Sequence, residues 1–127
     1  LTTGLGLKNV FLRREQFRRA EDPAFCLLVA RDIVGTKIRN QRTLLQRNHL
    51  EPPAIALDRL RRLADQAQQA SMLETLLGIE GTAAAAYFGA FGGMIKVEDS
   101  GPFEAFDFRT RNRRPPRDPV NALLSFA

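Results

Sequence analysis

A single carboxylate, Glu80, lies in an otherwise almost uncharged stretch of this 127-residue sequence. Between residues 75 and 95 the only other ionisable residue is Tyr87. At helical spacing, Ala83, Ala84 and Tyr87 share the face of Glu80. A carboxylate on such a face must be solvated, paired with a cation, or bound to a metal, because burying it unpaired is costly. Since Mg²⁺ and Mn²⁺ favour carboxylate oxygens, Glu80 is a candidate metal ligand. A surface glutamate or a salt bridge to an arginine is the structural alternative.

A second candidate site is a group of five arginines within nine residues near the end of the sequence. Pro115 and Pro116 stiffen this segment and keep it out of a helix. A rigid basic segment beside a helix N-terminus can contact phosphate groups. The alternative is a solvated loop in which Asp107 and Asp118 neutralise the arginines. The five are Arg109, Arg111, Arg113, Arg114 and Arg117.

The overall charge also favours a polyanionic partner. The sequence has 19 basic residues against 14 acidic ones, a formal net charge of +5 and an isoelectric point near 10.3. Three of the basic residues are lysines and the rest are arginines, whose planar donors suit phosphate and base edges. This predicts nucleic-acid binding, although a high-GC genome that encodes arginine in place of lysine gives the same composition.

The composition argues against several other classes of protein. One cysteine, Cys26, excludes an internal disulfide and any zinc or iron–sulfur site built from the cysteines of this sequence, and its apolar neighbours predict a role in the core. Neither a membrane-spanning segment nor a secretory leader is visible. His49 reads as a cation at a helix end. Serine-nucleophile and Walker-type motifs are absent.

The pattern of apolar residues predicts helices throughout. We expect a linker or a lone strand over residues 1–12, then a short charged helix or turn. A long helix should start at Asp22-Pro23, an N-cap and first-turn pair, and end near Asn48. A further helix fits residues 54–70, and a loop fits residues 95–111. The apolar stripes predicted to face the core are Leu27, Ala30, Val34, Ile38 and Leu45 in the first helix, and Ile55, Leu57, Leu60, Leu63 and Ala67 in the second.

The Glu80 segment should form the next helix, and a last one should start at Asp118-Pro119. Ser71-x-x-Glu74 matches a capping box that would start the Glu80 helix. This helix is rich in glycine, and each helical glycine costs about 0.5–1 kcal/mol relative to alanine. Such glycines are tolerated where small side chains let another helix or a ligand come close. They are Gly78, Gly81, Gly89, Gly92 and Gly93.

Three segments of the sequence resemble the CRISPR spacer-integrase family, the adaptation nucleases. They are LLGIEGTAAAAYF at residues 76–88, NRRPPRDPVNALLSF at 112–126, and EQFRRAEDPAFCLLVARDIVGTKIRNQRTLLQR at 15–47, which is similar to the preceding helix of the family. The resemblance implies an all-α fragment of the helical catalytic domain, with the β-rich N-terminal domain of the family absent. Residues 1–20 would be a linker and short charged helix, and residues 21–127 the helical catalytic domain, truncated before its end.

The resemblance also implies a function. It makes Glu80 the glutamate of a Glu, His and Asp site for Mg²⁺ or Mn²⁺, the histidine and aspartate lying beyond residue 127, so the fragment alone should be inactive. The complete enzyme would insert captured DNA into a CRISPR array by attack of a 3′-hydroxyl on a phosphodiester. Backbone contacts are expected from Arg111, Arg113 and Arg114, with Asn121 orienting them or touching DNA. Arg39, Arg42 and Arg47 are weaker candidates.

Partners follow from the same resemblance. They are double-stranded DNA (the captured piece and the repeat), a second copy of the protein, a small ferredoxin-like partner, and an iron–sulfur exonuclease, separate or fused, in a prokaryotic cytoplasm. The alternative function is a non-catalytic helical DNA-binding or scaffolding module in which Glu80 is structural. An RNA-binding helical domain is weaker, because the aromatic stacking motifs of single-strand readers are missing.

Overall fold

A computed structural model describes residues 6–95, Arg111, 115–116 and 118–125 of the chain, with side chains from residue 9 onward. Within these residues there is no strand, which confirms the predicted all-α class. None of the described helices is both long and apolar enough to cross a membrane. The elements are α1 (Gly6–Ala20), α2 (Pro23–Asn48), α3 (Ala54–Gln69), α4 (Leu73–Ala90), a 3₁₀ turn (Phe91–Met94) and α5 (Pro119–Leu123).

Helix α1 corrects one expectation. A linker or lone strand over residues 1–12 is wrong for residues 6–12, which are helical; residues 1–5 lie outside the described part. Helix α1 as a whole (Gly6–Ala20) contains no proline, and its leucines, arginines and glutamine are good helix formers. Glu15 also accepts hydrogen bonds from Arg18 and Arg19, at 2.8 Å and 2.9 Å to their Nε atoms. Pairs at these spacings support an exposed helix.

The ends of α2 confirm the sequence prediction. The Asp22 side chain accepts hydrogen bonds from the backbone N–H groups of Ala24 and Phe25, at 3.0 Å and 3.2 Å, and Pro23 occupies the first turn. These bonds satisfy donors that a helix start leaves without partners. The helix ends at Asn48, followed by His49 as C-cap.

The start of α4 does not match the predicted capping box. The N-cap is Met72, without a side-chain hydrogen bond, so Ser71 lies one residue too early to cap the helix. Glu74 instead falls in the first turn, where a negative charge interacts favourably with the helix dipole.

The core lies where α2, α3 and α4 meet. Ile38, Leu45 and Leu60 have no exposed surface. The predicted stripe of α2 is confirmed, although Leu27 and Ala30 are only half-buried. The buried residues of the core are Val34, Ile38 and Leu45 from α2; Leu60, Leu63, Ala64 and Ala67 from α3; Ala70; and Leu76, Ala83 and Tyr87 from α4.

The inner face of α3 is predicted correctly except at one position. Leu60, Leu63 and Ala67 are buried, but Ile55 is 86% exposed. Five residues are about 1.4 helical turns, so Ile55 points away from Leu60. At the beginning of α3, the angular position of a residue on the helix therefore predicts its burial better than its apolar character does.

Arginines of α2 bind to α3 through backbone carbonyls. Arg31 Nε donates to the carbonyl of Ala70 at 2.6 Å, at the C-terminal end of α3. Gln68 Nε2 returns a bond to the carbonyl of Arg31 at 3.2 Å. Arg42 Nε donates to the carbonyl of Leu57 at 3.2 Å. These bonds fix the register of the two helices, because each satisfies a specific carbonyl.

Two glycines lie where the chain packs against itself. A Cβ atom on Gly93 would come within 2.0 Å of Nε2 in the ring of His49, and one on Gly35 within 2.4 Å of Nε2 of Gln68. The backbone N–H of Leu50 also donates to the carbonyl of Gly93 at 3.1 Å. Of the glycines predicted to allow a close approach, Gly93 does so within this chain.

Burial on α3 gives a direct test of the core. Leu60→Ala should lower the free energy of unfolding by about 2–5 kcal/mol, because it removes a fully buried side chain and leaves a cavity. The matched control is Ile55→Ala on the exposed face of the same helix, which should change that free energy by no more than about 0.5 kcal/mol. Urea denaturation followed by circular dichroism measures both. Equal effects for the two variants would contradict this packing.

Candidate metal and DNA site

Glu80 lies at the edge of the core, not inside it. On α4, Leu76, Ala83 and Tyr87 face inward, and the helical repeat places Glu80 next to them, as the sequence predicts. Its side chain is 31% exposed. Helix α2 packs against the same side of α4. The carboxylate is thus anchored by buried neighbours while it stays open to solvent and to a ligand.

The partner of Glu80 is Lys37 of α2. Its Nζ lies 2.5 Å from Oε1 of Glu80, across 43 positions of sequence. The structural alternative from the sequence, a salt bridge, is thus present, but the expected arginine partner is wrong. With the two side chains 51% and 31% exposed, the pair contributes no more than about 1 kcal/mol to stability. A contact this weak can yield to a stronger ligand of the carboxylate.

The residues described here fit a divalent ion as one part of a site. Glu80 offers an accessible carboxylate of the kind that Mg²⁺ and Mn²⁺ bind. No group of three or more His, Cys, Asp or Glu side chains comes together within the described residues. Glu80 can therefore supply one ligand, and any others must come from outside these residues.

The exposed side of α4 is open at its glycines. Around Gly78, Gly81 and Gly89, a Cβ atom would meet nothing within 4 Å. Leu77, on the same side, is 69% exposed. No described residue makes the close approach expected at these three positions, so that part of the expectation stays a prediction about something outside the described residues.

Arg111 is held by the last helix and by α4. Its Nη1 donates to Oδ1 of Asn121 at 3.1 Å, and its Nη2 to the carbonyl of Leu124 at 3.0 Å. Its guanidinium lies 5.9 Å from the ring centroid of Phe88 on α4, within the range of a cation–π contact. The arginine predicted to contact DNA therefore also connects α5 to α4.

Asn121 is completely buried. Of the two roles predicted for it, orienting the arginines or touching DNA, burial favours the first. Its Nδ2 donates to Oδ2 of Asp118 at 2.6 Å, and its backbone N–H donates to Oδ1 at 2.8 Å. Asp118 is the N-cap of α5, with Pro119 following, as the sequence predicts.

The same bonds affect the ionisation of Asp118. Its pKa is lowered, first by the side-chain hydrogen bond from Asn121, then by the backbone N–H groups of Asn121 and Val120, with a smaller effect of the Arg111 charge. A carboxyl group with a lowered pKa in the folded state stabilises that state above its ordinary pKa. This contribution disappears as the pH falls through the lowered value.

The other predicted arginines differ in how accessible they are. Arg39 is exposed, and its Nη2 donates to Oγ1 of Thr36 at 3.1 Å, one turn away. Arg42 is half-buried and holds α3 through Leu57. Arg39 is the better candidate for a phosphate contact. Arg113 and Arg114 lie outside the described residues, as do Arg109 and Arg117.

Helix α4 relates the carboxylate to the basic segment. Phe88, which Arg111 contacts, follows Glu80 by eight residues on the same helix, a rise of roughly 12 Å. The described contacts do not join Glu80 directly to Arg111 or Asn121. One rigid element therefore fixes the spacing between the candidate metal ligand and the start of the candidate DNA-binding segment.

Lys37 and Phe88 are the site residues that the sequence does not reveal. A cation is one possible partner for the lone acid of α4, and the sequence offers many arginines but only three lysines. Lys37 lies off the buried stripe of α2, and this is the one feature of the sequence that favours Lys37 as the partner of Glu80. Phe88 looks like any other apolar residue of α4.

Comparison with known proteins assigns the family. The family model described as CRISPR associated protein Cas1 matches residues 2–127. The chain therefore belongs to the Cas1 family, which confirms the resemblance seen in its sequence.

Individual relatives agree with this assignment. The chain is 47% identical over 133 residues to a CRISPR-associated exonuclease Cas4/endonuclease Cas1 fusion of Geobacter sulfurreducens, covering 99% of the chain and 23% of the relative. It is 49% identical over 127 residues to a fusion of the same description from Rhodospirillum rubrum, covering 98% of the chain and 22% of that relative. A CRISPR-associated endonuclease Cas1 of that organism is 39% identical over 133 residues, covering 93% and 36%. The chain thus spans about a fifth to a third of these relatives.

The buried Asn121 provides a test of the α5 attachment. Asn121→Ala should loosen α5 by about 1–3 kcal/mol, because it removes a fully buried side chain together with its hydrogen bonds to the half-buried Arg111 and Asp118. Hydrogen exchange at the backbone amides of α5 should become faster by a corresponding factor. Leu123→Ala, at a 67% exposed position of the same helix, is the control and should leave exchange nearly unchanged. Unchanged exchange in Asn121→Ala would argue against the network.

Proposed function

We propose that this chain is part of the helical catalytic domain of a CRISPR adaptation integrase, a metal-dependent DNA endonuclease that joins captured DNA to a CRISPR repeat. The observation that carries the proposal is Glu80, an accessible carboxylate fixed at the edge of the α2–α4 packing in a chain of the Cas1 family. Relatives that share 39–49% of its residues are named as endonucleases, which supports nuclease chemistry.

In the proposed site, Glu80 would hold Mg²⁺ or Mn²⁺ together with a histidine and an aspartate that the resemblance places beyond residue 127. Such an ion would supply stabilisation of the charge that develops on the scissile phosphate. Helix α4 keeps Glu80 in place because Leu76 and Ala83 on either side of it are buried. One carboxylate does not complete a metal site, so we expect the 127-residue chain alone to be inactive.

The proposed reaction exchanges one phosphodiester for another. The 3′-hydroxyl of the captured DNA loses its proton and attacks the phosphorus at the edge of the repeat, forming a new phosphorus–oxygen bond. The 3′-oxygen of the repeat strand leaves and takes up a proton. We assign Arg111, Arg113 and Arg114 to the DNA backbone near this phosphate, with Asn121 orienting Arg111.

The partners belong to the same proposal. Three relatives are named as fusions of exonuclease Cas4 with endonuclease Cas1, which supports a Cas4-type exonuclease as a partner, separate or fused. A second copy of the protein, a small ferredoxin-like partner and double-stranded DNA complete the proposed assembly on the basis of the family resemblance.

A second function, a non-catalytic DNA-binding or scaffolding module, is favoured by one specific observation. Glu80 is already paired with Lys37, as a purely structural glutamate would be. In that case DNA binding would need no metal, and Glu80 would matter for stability alone.

Substitution of Glu80 separates the two functions. In the complete protein, Glu80→Ala should reduce Mn²⁺-dependent strand transfer into a repeat-containing plasmid at least about a hundredfold, because a metal ion contributes several kcal/mol to the transition state. DNA binding without metal should persist. The assay measures joined product on a denaturing gel.

Glu74→Ala is the matched control for Glu80→Ala. Glu74 is an exposed acid on the same helix, and its loss should leave strand transfer within about twofold of the native protein. Native activity in Glu80→Ala would rule out the catalytic assignment and favour the binding module. Loss of activity in both variants would indicate damage to α4 and not to a metal site.

Two arginines of α2 should respond differently when DNA binding is measured. Arg39→Ala should weaken binding to all duplexes and reduce the slope of log affinity against log salt concentration by about 0.9, the value for one phosphate contact. Arg42→Ala should instead lower thermal stability, because the half-buried Arg42 bonds to Leu57. Fluorescence anisotropy over a salt series measures the slope. An unchanged slope in Arg39→Ala would remove Arg39 from the interface.

A further inference from the structure

Lys37 occupies the carboxylate that the proposed function assigns to a metal. We propose that Lys37 exchanges partners: it neutralises Glu80 while no divalent cation is bound, and it contacts a DNA phosphate when the cation takes the carboxylate. This inference rests on the proposed function and adds a residue that the sequence analysis does not single out.

The first step of the argument is that the two cations compete. The ammonium of Lys37 lies 2.5 Å from Oε1 of Glu80, and a magnesium ion would lie about 2.0–2.1 Å from the oxygen it binds. A divalent and a monovalent cation that share one carboxylate repel each other strongly. The monovalent one is held by a solvent-screened pair and is the one that moves.

The second step is that Lys37 can move and still be useful. Its side chain is 51% exposed, and a lysine carries a compact charge with three donors on a flexible four-carbon stem. An ammonium released beside a metal-bound phosphate can pair with that phosphate. Lysine, like arginine, binds phosphates, acting as a point charge.

The third step concerns the surface beside Lys37. A shallow groove runs along α2 beside Lys37, and its mostly apolar lining, which includes Ile33 and Leu44, also contains three neutral hydrogen-bonding side chains, Thr36, Asn40 and Gln41. Asp32 is the only acid in this lining. The hydroxyl of Thr36 and the side-chain amides of Asn40 and Gln41 can donate to phosphate oxygens beside Lys37, whereas the apolar part of the lining contributes no such contact. The geometry thus offers the released ammonium a place where DNA can lie.

Metal affinity is the first measurement, made on the complete protein. Free Mn²⁺ is followed by electron paramagnetic resonance. Lys37→Met, which keeps the length of the stem and removes the charge, should bind Mn²⁺ about twofold to fivefold more tightly than native protein, since an exposed pair of this kind is worth that factor. The control Arg61→Met loses the same charge from an exposed ion pair with Asp58 on α3 and should leave Mn²⁺ affinity unchanged. Lys37→Arg keeps the charge and should restore native affinity.

The exchange of partners is then observed directly. After reductive methylation of the lysines with ¹³C-formaldehyde, the Lys37 signal is the one that is missing from Lys37→Arg. Saturating Mg²⁺ should shift this signal in native protein. In Glu80→Ala the signal should already be displaced without Mg²⁺ and should not respond to it. A Lys37 signal that ignores both changes would overturn the proposal.

DNA affinity supplies the last readout. With duplex DNA that ends in dideoxynucleotides, so that no joining occurs, Lys37→Met should bind like native protein without Mg²⁺ and about twofold to fivefold more weakly with Mg²⁺. Equal losses under both conditions, or the same losses in Arg61→Met, would mean that only net charge matters and would overturn the exchange.

The outcomes also separate this inference from the proposed function. If Glu80→Ala leaves Mn²⁺ affinity unchanged, the metal site itself is wrong and the inference falls with it. If Glu80→Ala weakens Mn²⁺ binding while Lys37→Met changes neither metal nor DNA affinity, the metal site stands and the partner exchange is wrong.

Discussion

The packing of α2, α3 and α4 buries α4 along one side only, and this constraint determines what Glu80 can do. The core residues Leu76, Ala83 and Tyr87 fix the rotation of the helix. At the next angular position a carboxylate is held firmly by its backbone but keeps a third of its side chain exposed. At an angular position that faces the core, the charge of the carboxylate would have been too costly to bury. On the fully exposed face of α4, no buried neighbour would have fixed the position of the carboxylate.

The arginines of the chain occupy two kinds of environment that charge alone does not distinguish. Arg31, Arg42 and Arg111 donate to backbone carbonyls and hold elements together. Arginine suits this task because its planar fork reaches two acceptors at once, as Arg111 does with Asn121 and Leu124. Arg39, by contrast, bonds only to a neighbouring turn among the described contacts and presents its charge to solvent. A positive charge therefore predicts a nucleic-acid partner for the chain but not which arginines touch it.

Helix boundaries that depend on local chemistry could be predicted from the sequence. Asp22-Pro23 and Asp118-Pro119 both start helices as expected, because an N-cap side chain and a proline act within one turn. Features that depend on packing could not be predicted. The capping box at Ser71 is overridden when α4 begins two residues later, and the Lys37–Glu80 pair depends on how two helices cross. Glu80 itself could be found because it is the only acid in a long uncharged stretch, whereas its partner could not, because the pairing spans 43 positions.

The open glycine face of α4 and the single carboxylate point in the same direction. Gly78, Gly81 and Gly89 cost helix stability and leave space that no described residue fills, while one carboxylate is too few ligands for Mg²⁺ or Mn²⁺. Both deficits are met if further polypeptide or DNA packs against the side of α4 that is exposed here. The relatives compared above are about three to five times as long as the part that this chain matches. In such a protein the chain contributes position, because α4 sets where Glu80 stands and, through Phe88 and Arg111, how far from Glu80 the basic segment starts. Under the proposed function, the chemistry follows only when the remaining ligands and the DNA are brought to that fixed point.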